Sequence, residues 1–152
     1  IARGRGTADW RLVNGFLDGL ALSGDDDARL ALLRFMWRTL VEAGLAPDIG
    51  RCAHCGAAIS GGAIGENGVF YYSPHEDALS CMRCARDGER SLIVPGAAAA
   101  YLEAVDRERP SVSRSLALDE ASRAALRDLL FFLIARMLDG PLKTVETGEG
   151  II

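Results

Sequence analysis

The sequence predicts a mainly α-helical domain into which a small four-cysteine module of knuckles and a β-hairpin is inserted. Three observations carry that expectation. Long stretches towards both ends of the chain repeat apolar residues at helical spacing. All four cysteines of the 152 residues fall between Cys52 and Cys84. The segment that holds them, 49–94, contains seven glycines and no long helical repeat. With 49% apolar and 25% charged residues, the composition is that of a globular protein and excludes a disordered or fibrous one.

Taken in order, residues 1–48 form the first part of the helical domain. After an aperiodic start, Thr7 offers an N-cap, and Trp10, Val13, Phe16, Leu17 and Leu20 recur at helical spacing as far as Ser23-Gly24. Asp25 to Asp27 then supply negative charge where a second helix begins, opposing the positive end of its dipole. That helix carries Leu30, Leu33, Trp37, Leu40 and Val41 on one stripe and stops at Gly44, ahead of Pro47. Residues 49–94 form the inserted module, with one strand-like run, Val69 to Ser73. Residues 95–143 resume the helical domain. Pro95 and Gly96 open an alanine-rich helix over 97–108, closed by Pro110. A last helix runs from near Asp119 to Asp139, with Leu126, Leu129, Leu130, Leu133, Ile134, Met137 and Leu138 on its apolar side and Gly140-Pro141 as its stop. Residues 144–152 read as a flexible polar tail.

The net charge of −4 and pI near 5.2 argue against a free-standing, non-specific nucleic-acid binder. The apolar run Leu129 to Ala135 is far too short to cross a bilayer, and no stretch resembles a signal peptide, so a cytoplasmic location is expected. The chain begins at Ile1 with no Met, and a preceding portion is expected. In a reducing compartment, clustered cysteines point to metal or redox chemistry before structural disulfides.

The cysteines form two pairs, Cys52-Ala53-His54-Cys55-Gly56 and Cys81-Met82-Arg83-Cys84-Ala85, separated by 25 residues. A Cys-x-x-Cys turn lets two sulfurs converge on one ion, and a glycine after the second suits the tight backbone of a knuckle. Two knuckles supply four thiolates, Cys52, Cys55, Cys81 and Cys84, the closed tetrahedral set of one structural Zn²⁺. Such a shell leaves no open position at which the metal activates water. Reactive dithiol pairs are the competing reading, and a zinc-ribbon nucleic-acid module is a third. His54 and His75 are expected to face solvent or support the site rather than ligate. Arg83, Arg86 and Arg90 form a basic run beside the second knuckle, either a solvated rim or a contact for DNA phosphate or an acidic partner. No nucleophile elbow, catalytic metal pattern or phosphate-cradling glycine loop is present, so no enzyme activity is expected. On the second helix, Phe35 lies opposite the main stripe with Arg38 flanking it, and is either packed on another helix or part of a groove. Phe132 poses the same choice on the last helix and is expected in the core.

Five blocks together resemble the bacterial recombination mediator family RecO. They are Leu32-Leu33-Arg34-Phe35 through Gly44-Leu45-Ala46-Pro47-Asp48, then Arg51 to Gly56, then Tyr71-Tyr72-Ser73-Pro74, then Cys81 to Ala85, and finally Pro141-Leu142-Lys143. The resemblance covers about 28–143 and implies a helical domain interrupted by a zinc module, preceded in full-length relatives by an oligonucleotide-binding barrel that is not expected within these residues. It further implies a non-enzymatic role in DNA repair. Such proteins anneal complementary single strands and, with RecR, help load the RecA recombinase onto DNA covered by single-strand-binding protein. DNA would then be contacted mainly by the barrel. Because that single-strand-binding protein ends in an acidic tail with a terminal hydrophobic residue, the resemblance makes Arg34, Phe35 and Arg38 candidate partner contacts. Relatives often continue past the Pro-Leu-Lys block with basic residues, whereas this chain reads Thr144-Val145-Glu146-Thr147-Gly148-Glu149.

Overall fold

The computed structural model describes residues 5–21, 23–59, 68–86 and 92–140. The elements run α1 (Arg5–Ala21), α2 (Asp25–Ala43), β1 (Val69–Ser73), β2 (Ala78–Cys81), β3 (Leu92–Pro95), α3 (Gly96–Arg107), α4 (Pro110–Ser113) and α5 (Glu120–Met137). The fold is mostly helical with one small sheet, as the sequence predicts. Its backbone contacts define two units, one of residues 1–46 with 130–152 and one of Pro47–Leu129, and α5 divides between them.

In the first unit α1 packs along α2, and the rings of Phe16 and Phe35 stack with centroids 4.5 Å apart and planes 20° from parallel. The half-buried side of α1 centres on Val13, Phe16 and Leu20. Trp10 and Leu17, placed by periodicity on the core stripe, are 66% and 54% exposed. The cause is rotational: the ring stack turns the Phe16 side towards α2, and Trp10 and Leu17 lie farther round the helix. On α2, Leu30, Leu33, Trp37 and Leu40 are buried as expected, whereas Val41 is exposed and Met36 is buried in addition. The helix closes as a Schellman motif. Gly44 adopts φ +71, its N–H donates to the Val41 carbonyl at 3.0 Å, and the Leu45 N–H reaches back to Leu40 at 2.8 Å. Leu130, Leu133 and Ile134 are the buried residues of α5 in this unit. Leu138, expected on the same apolar side, is exposed, because the helix ends at Met137 and the chain turns at Asp139.

The second unit is built on a three-stranded antiparallel sheet in the order β2-β1-β3. Phe70 pairs with Cys81 and Val94, and Tyr72 pairs with Leu79 and Leu92, so these residues share one face. Phe70, Tyr72, Leu79 and Val94 are fully buried there, and Ala98, Leu102 and Val105 of α3 and Leu126 and Leu129 of α5 are buried core residues of the same unit. Tyr71, Ser80 and Ile93 point to the opposite face. β3 ends in Pro95, which lacks an N–H, and is tolerated because β3 is an edge strand. Pro110 both follows the end of α3 and opens the short α4.

Candidate metal centre

The first knuckle grows out of a tight local hairpin. Arg51 and Ala58 form an antiparallel bridge, the Ile59 N–H donates to the Gly50 carbonyl at 3.0 Å, and the Cys52 N–H donates to Ala57 at 2.9 Å. Gly56, at φ +67, allows the turn to close with its N–H on the Cys52 carbonyl at 2.9 Å. The second knuckle begins at Cys81, the last residue of β2, and the N–H groups of Cys84 and Ala85 both fold back onto the Cys81 carbonyl at 2.9 Å. Two bonds fasten the knuckles together: Ala53 N–H to the Leu79 carbonyl at 2.9 Å, and Cys81 N–H to the Cys52 Sγ at 3.3 Å.

This arrangement brings all four predicted ligands to one point. The Sγ atoms of Cys52, Cys55, Cys81 and Cys84 lie within 4.8 Å of one another, and Cys55 and Cys81 are 3.8 Å apart. A regular tetrahedron with metal–sulfur arms of ~2.3 Å has edges of roughly 3.8 Å. A disulfide requires about 2.05 Å, so the four are free thiols held at the spacing of a shared ion.

The electrostatics of the donor set agree. Burial disfavours the Cys52 thiolate, but N–H groups of Cys55, Cys81 and His54 and the Cys55 thiol outweigh it and lower the pKa to about 6. Cys84 is pushed up to about 12, first because its thiol donates to Cys81 and then to Cys55, with burial and the Cys52 charge adding to this. Four sulfurs so close cannot all ionise alone, and a divalent cation held among them would supply the charge that lets them. The cluster can therefore hold a metal ion, and four thiolates would complete its coordination shell with protein sulfur alone.

Neither histidine belongs to the cluster. His54 is exposed and its Nε2 lies 3.1 Å from Glu76 in the β1–β2 turn, while His75 is exposed in that same turn. The turn is also braced by the Tyr72 hydroxyl, which donates to Asp77. Neither contact is legible in the sequence, because each joins a knuckle or strand to a turn through side chains with no motif spacing. Arg83 and Arg86 are exposed, and Arg90 lies outside the described residues. Arg51 adds a further exposed cation next to Cys52, one that periodicity and spacing did not single out.

In the helical unit, Phe35 is half-buried against Phe16, Arg38 is half-buried, and Arg34 is only 8% exposed. Both arginines take part in interactions. Phe132 is half-buried, with the Arg136 guanidinium 5.9 Å from its ring centre.

Fold and site together define a mostly helical chain with a four-cysteine cluster positioned for metal binding. The family model described as Recombination protein O C terminal matches residues 10–146, and the chain belongs to that family. The family places the chain in DNA recombination and repair. No curated protein and no solved structure matches it. Among the described residues, no helix is long and apolar enough to cross a membrane.

Proposed function

We propose that this chain is a non-enzymatic, cytoplasmic part of a recombination mediator, supporting single-strand annealing and RecA loading through contacts with RecR and single-strand-binding protein. The family match over 10–146 carries this reading. In it, Cys52, Cys55, Cys81 and Cys84 hold one structural Zn²⁺, since a closed tetrahedron of thiolates is the donor set that this ion favours. When bound, the ion supplies folding free energy and no chemistry on a substrate. The chain's own residues do the rest: the Cys81 N–H holds the Cys52 sulfur, and Ala53 anchors the first knuckle to β2.

Arg34, Phe35 and Arg38 are the proposed contacts for the acidic tail of single-strand-binding protein. Arg38, three residues on from Phe35 along α2, would pair a cation with the aromatic surface of the Phe16–Phe35 stack, which suits a carboxylate next to a buried phenyl group. Arg83, Arg86 and Arg90 form the proposed rim for DNA phosphate or an acidic partner surface, with most DNA contact made by an oligonucleotide-binding domain of the kind found in the family.

The deciding experiment titrates a peptide of acidic residues ending in phenylalanine against the chain, Arg38→Ala and Phe35→Ala. Binding that weakens at least fivefold in Arg38→Ala supports the reading. Equal affinity in all three variants removes the site. Metal content measured alongside should give one zinc per chain and no titratable thiols in the folded state. Four titratable thiols and no metal would instead favour the dithiol reading.

A further inference from the structure

We infer that the metal module carries an oxidation site, in which Cys55 is the sulfur that a peroxide attacks and Cys81 is the sulfur that closes a disulfide with it. The inference rests on the metal reading above, because the thiolate is both the metal ligand and the nucleophile.

Residue exposure separates the four cysteines. Cys52 and Cys81 are each 1% exposed and Cys84 is half-buried, whereas Cys55 is exposed. Hydrogen bonding separates them further. The Cys52 sulfur accepts the Cys81 N–H at 3.3 Å, which draws electron density from it and blocks one approach. Cys55 lies in the exposed turn closed by Gly56, outside the sheet, so its sulfur can move without breaking a strand pair. Cys81 is fixed by its pairing with Phe70, and its Sγ is 3.8 Å from that of Cys55.

The chemistry balances with hydrogen peroxide as the oxidant. The Cys55 thiolate attacks one peroxide oxygen, the O–O bond breaks, and sulfenic acid and hydroxide form. The sulfur loses two electrons, which the peroxide gains. The Cys81 thiolate then attacks the Cys55 sulfur, an S–S bond forms, the S–O bond breaks, and a second hydroxide leaves. Both hydroxides take up protons as water. The disulfide takes Cys55 and Cys81, one donor from each knuckle, out of the set that would hold a bound ion, and the closed shell would be lost. The exposed knuckle thereby couples an oxidant to the fold of the metal module.

The test uses the full chain, with its zinc content measured before oxidant is added. After a few equivalents of hydrogen peroxide, free thiols are alkylated and peptides are mapped by mass spectrometry. A sulfenic-acid trap identifies the first sulfur oxidised, and a chromophoric chelator follows zinc release. The expected result is trap adduct on Cys55, a Cys55–Cys81 disulfide, and one zinc released per disulfide. Cys55→His, which keeps a donor atom but cannot form the bond, should slow zinc release at least tenfold. A loaded chain that gives a Cys52–Cys55 or Cys81–Cys84 disulfide, or that is trapped first at Cys84, overturns the inference and leaves the metal reading intact. A chain that carries no metal before oxidation overturns both. Should Cys55→His fail to bind zinc, the map of the unmodified chain decides alone.

Discussion

The backbone N–H of Cys81 donates to the Sγ of Cys52 at 3.3 Å, so the first cysteine of one knuckle is tied to the first cysteine of the other. That bond spans 29 residues of sequence and joins the 50–59 hairpin to β2. It fixes two of the four donors at the core of the second unit, where both are buried.

Metal removal is therefore expected to unfold the sheet unit rather than merely empty a surface site. Zinc in a site of this type contributes on the order of 10 kcal/mol to folding, more than the stability of most small domains. Treatment with a strong chelator, or Cys81→Ser, should abolish cooperative melting of the second unit and the dispersed NMR signals of Phe70, Tyr72 and Leu79. An unchanged melting curve after complete metal loss refutes the expectation.

Asp139 occupies a position better suited to glycine. It closes α5 at φ +54, with its N–H on the Arg136 carbonyl at 3.2 Å and the Gly140 N–H on Ala135 at 3.0 Å. This is a Schellman end like that at Gly44, but with an acidic side chain at the negative end of the helix dipole. Asp139→Gly should stabilise the chain by about 1 kcal/mol by removing left-handed strain and the misplaced charge. Asp139→Ala removes the charge but puts alanine, which tolerates the left-handed region less well than aspartate, at φ +54, and should be no more stable than the chain itself. Denaturant melts of the two variants test the order.

The same turn shows how far the sequence was legible. Glycine and proline marked the ends of the helices correctly to within two or three residues, because each acts through local backbone geometry. Gly140 predicts the stop for α5, yet the left-handed residue is Asp139, since periodicity does not report φ. The strand Val69–Ser73 was legible from its β-branched and aromatic residues. Ala78–Cys81 and Leu92–Pro95 were not, being four residues long with a mixed pattern or a terminal proline. The four ligands were legible because the knuckle spacing is a local constraint. Their unequal exposure and the contact between His54 and Glu76 depend on tertiary packing and leave no pattern in the chain.

Asp119 should make α5 sensitive to acid. Its Oδ1 accepts the Ser122 N–H at 2.9 Å, capping the helix. The Ser122 hydroxyl, followed by that N–H, holds the Asp119 carboxyl below its ordinary pKa. A carboxylate with a lowered folded pKa stabilises the fold above its unfolded pKa, and the contribution is lost as pH falls through the folded value. The difference in Tm between the chain and Asp119→Asn should be constant from pH 7 to 5 and shrink below pH 4. Acid release of the metal affects both proteins and cancels in the difference. A difference independent of pH would rule out the titration.

The stack of Phe16 on Phe35 ties α1 to α2 across 4.5 Å and should be measurable as a coupling energy. Both rings are half-buried, so each truncation to alanine is expected to cost about 2 kcal/mol, less than the loss of a fully buried phenylalanine. The double variant should cost less than the two single ones added together, by about 1 kcal/mol, the usual worth of an aromatic pair beyond its buried area. Additive losses would show that the two rings contribute only their separate burial. Because Trp10 and Leu17 lie off this contact, Trp10→Ala should change stability by less than ~0.5 kcal/mol, the range typical of surface positions. A Trp10→Ala loss as large as that of Phe16→Ala would place the apolar stripe of α1 where its periodicity puts it, and not where the ring stack does.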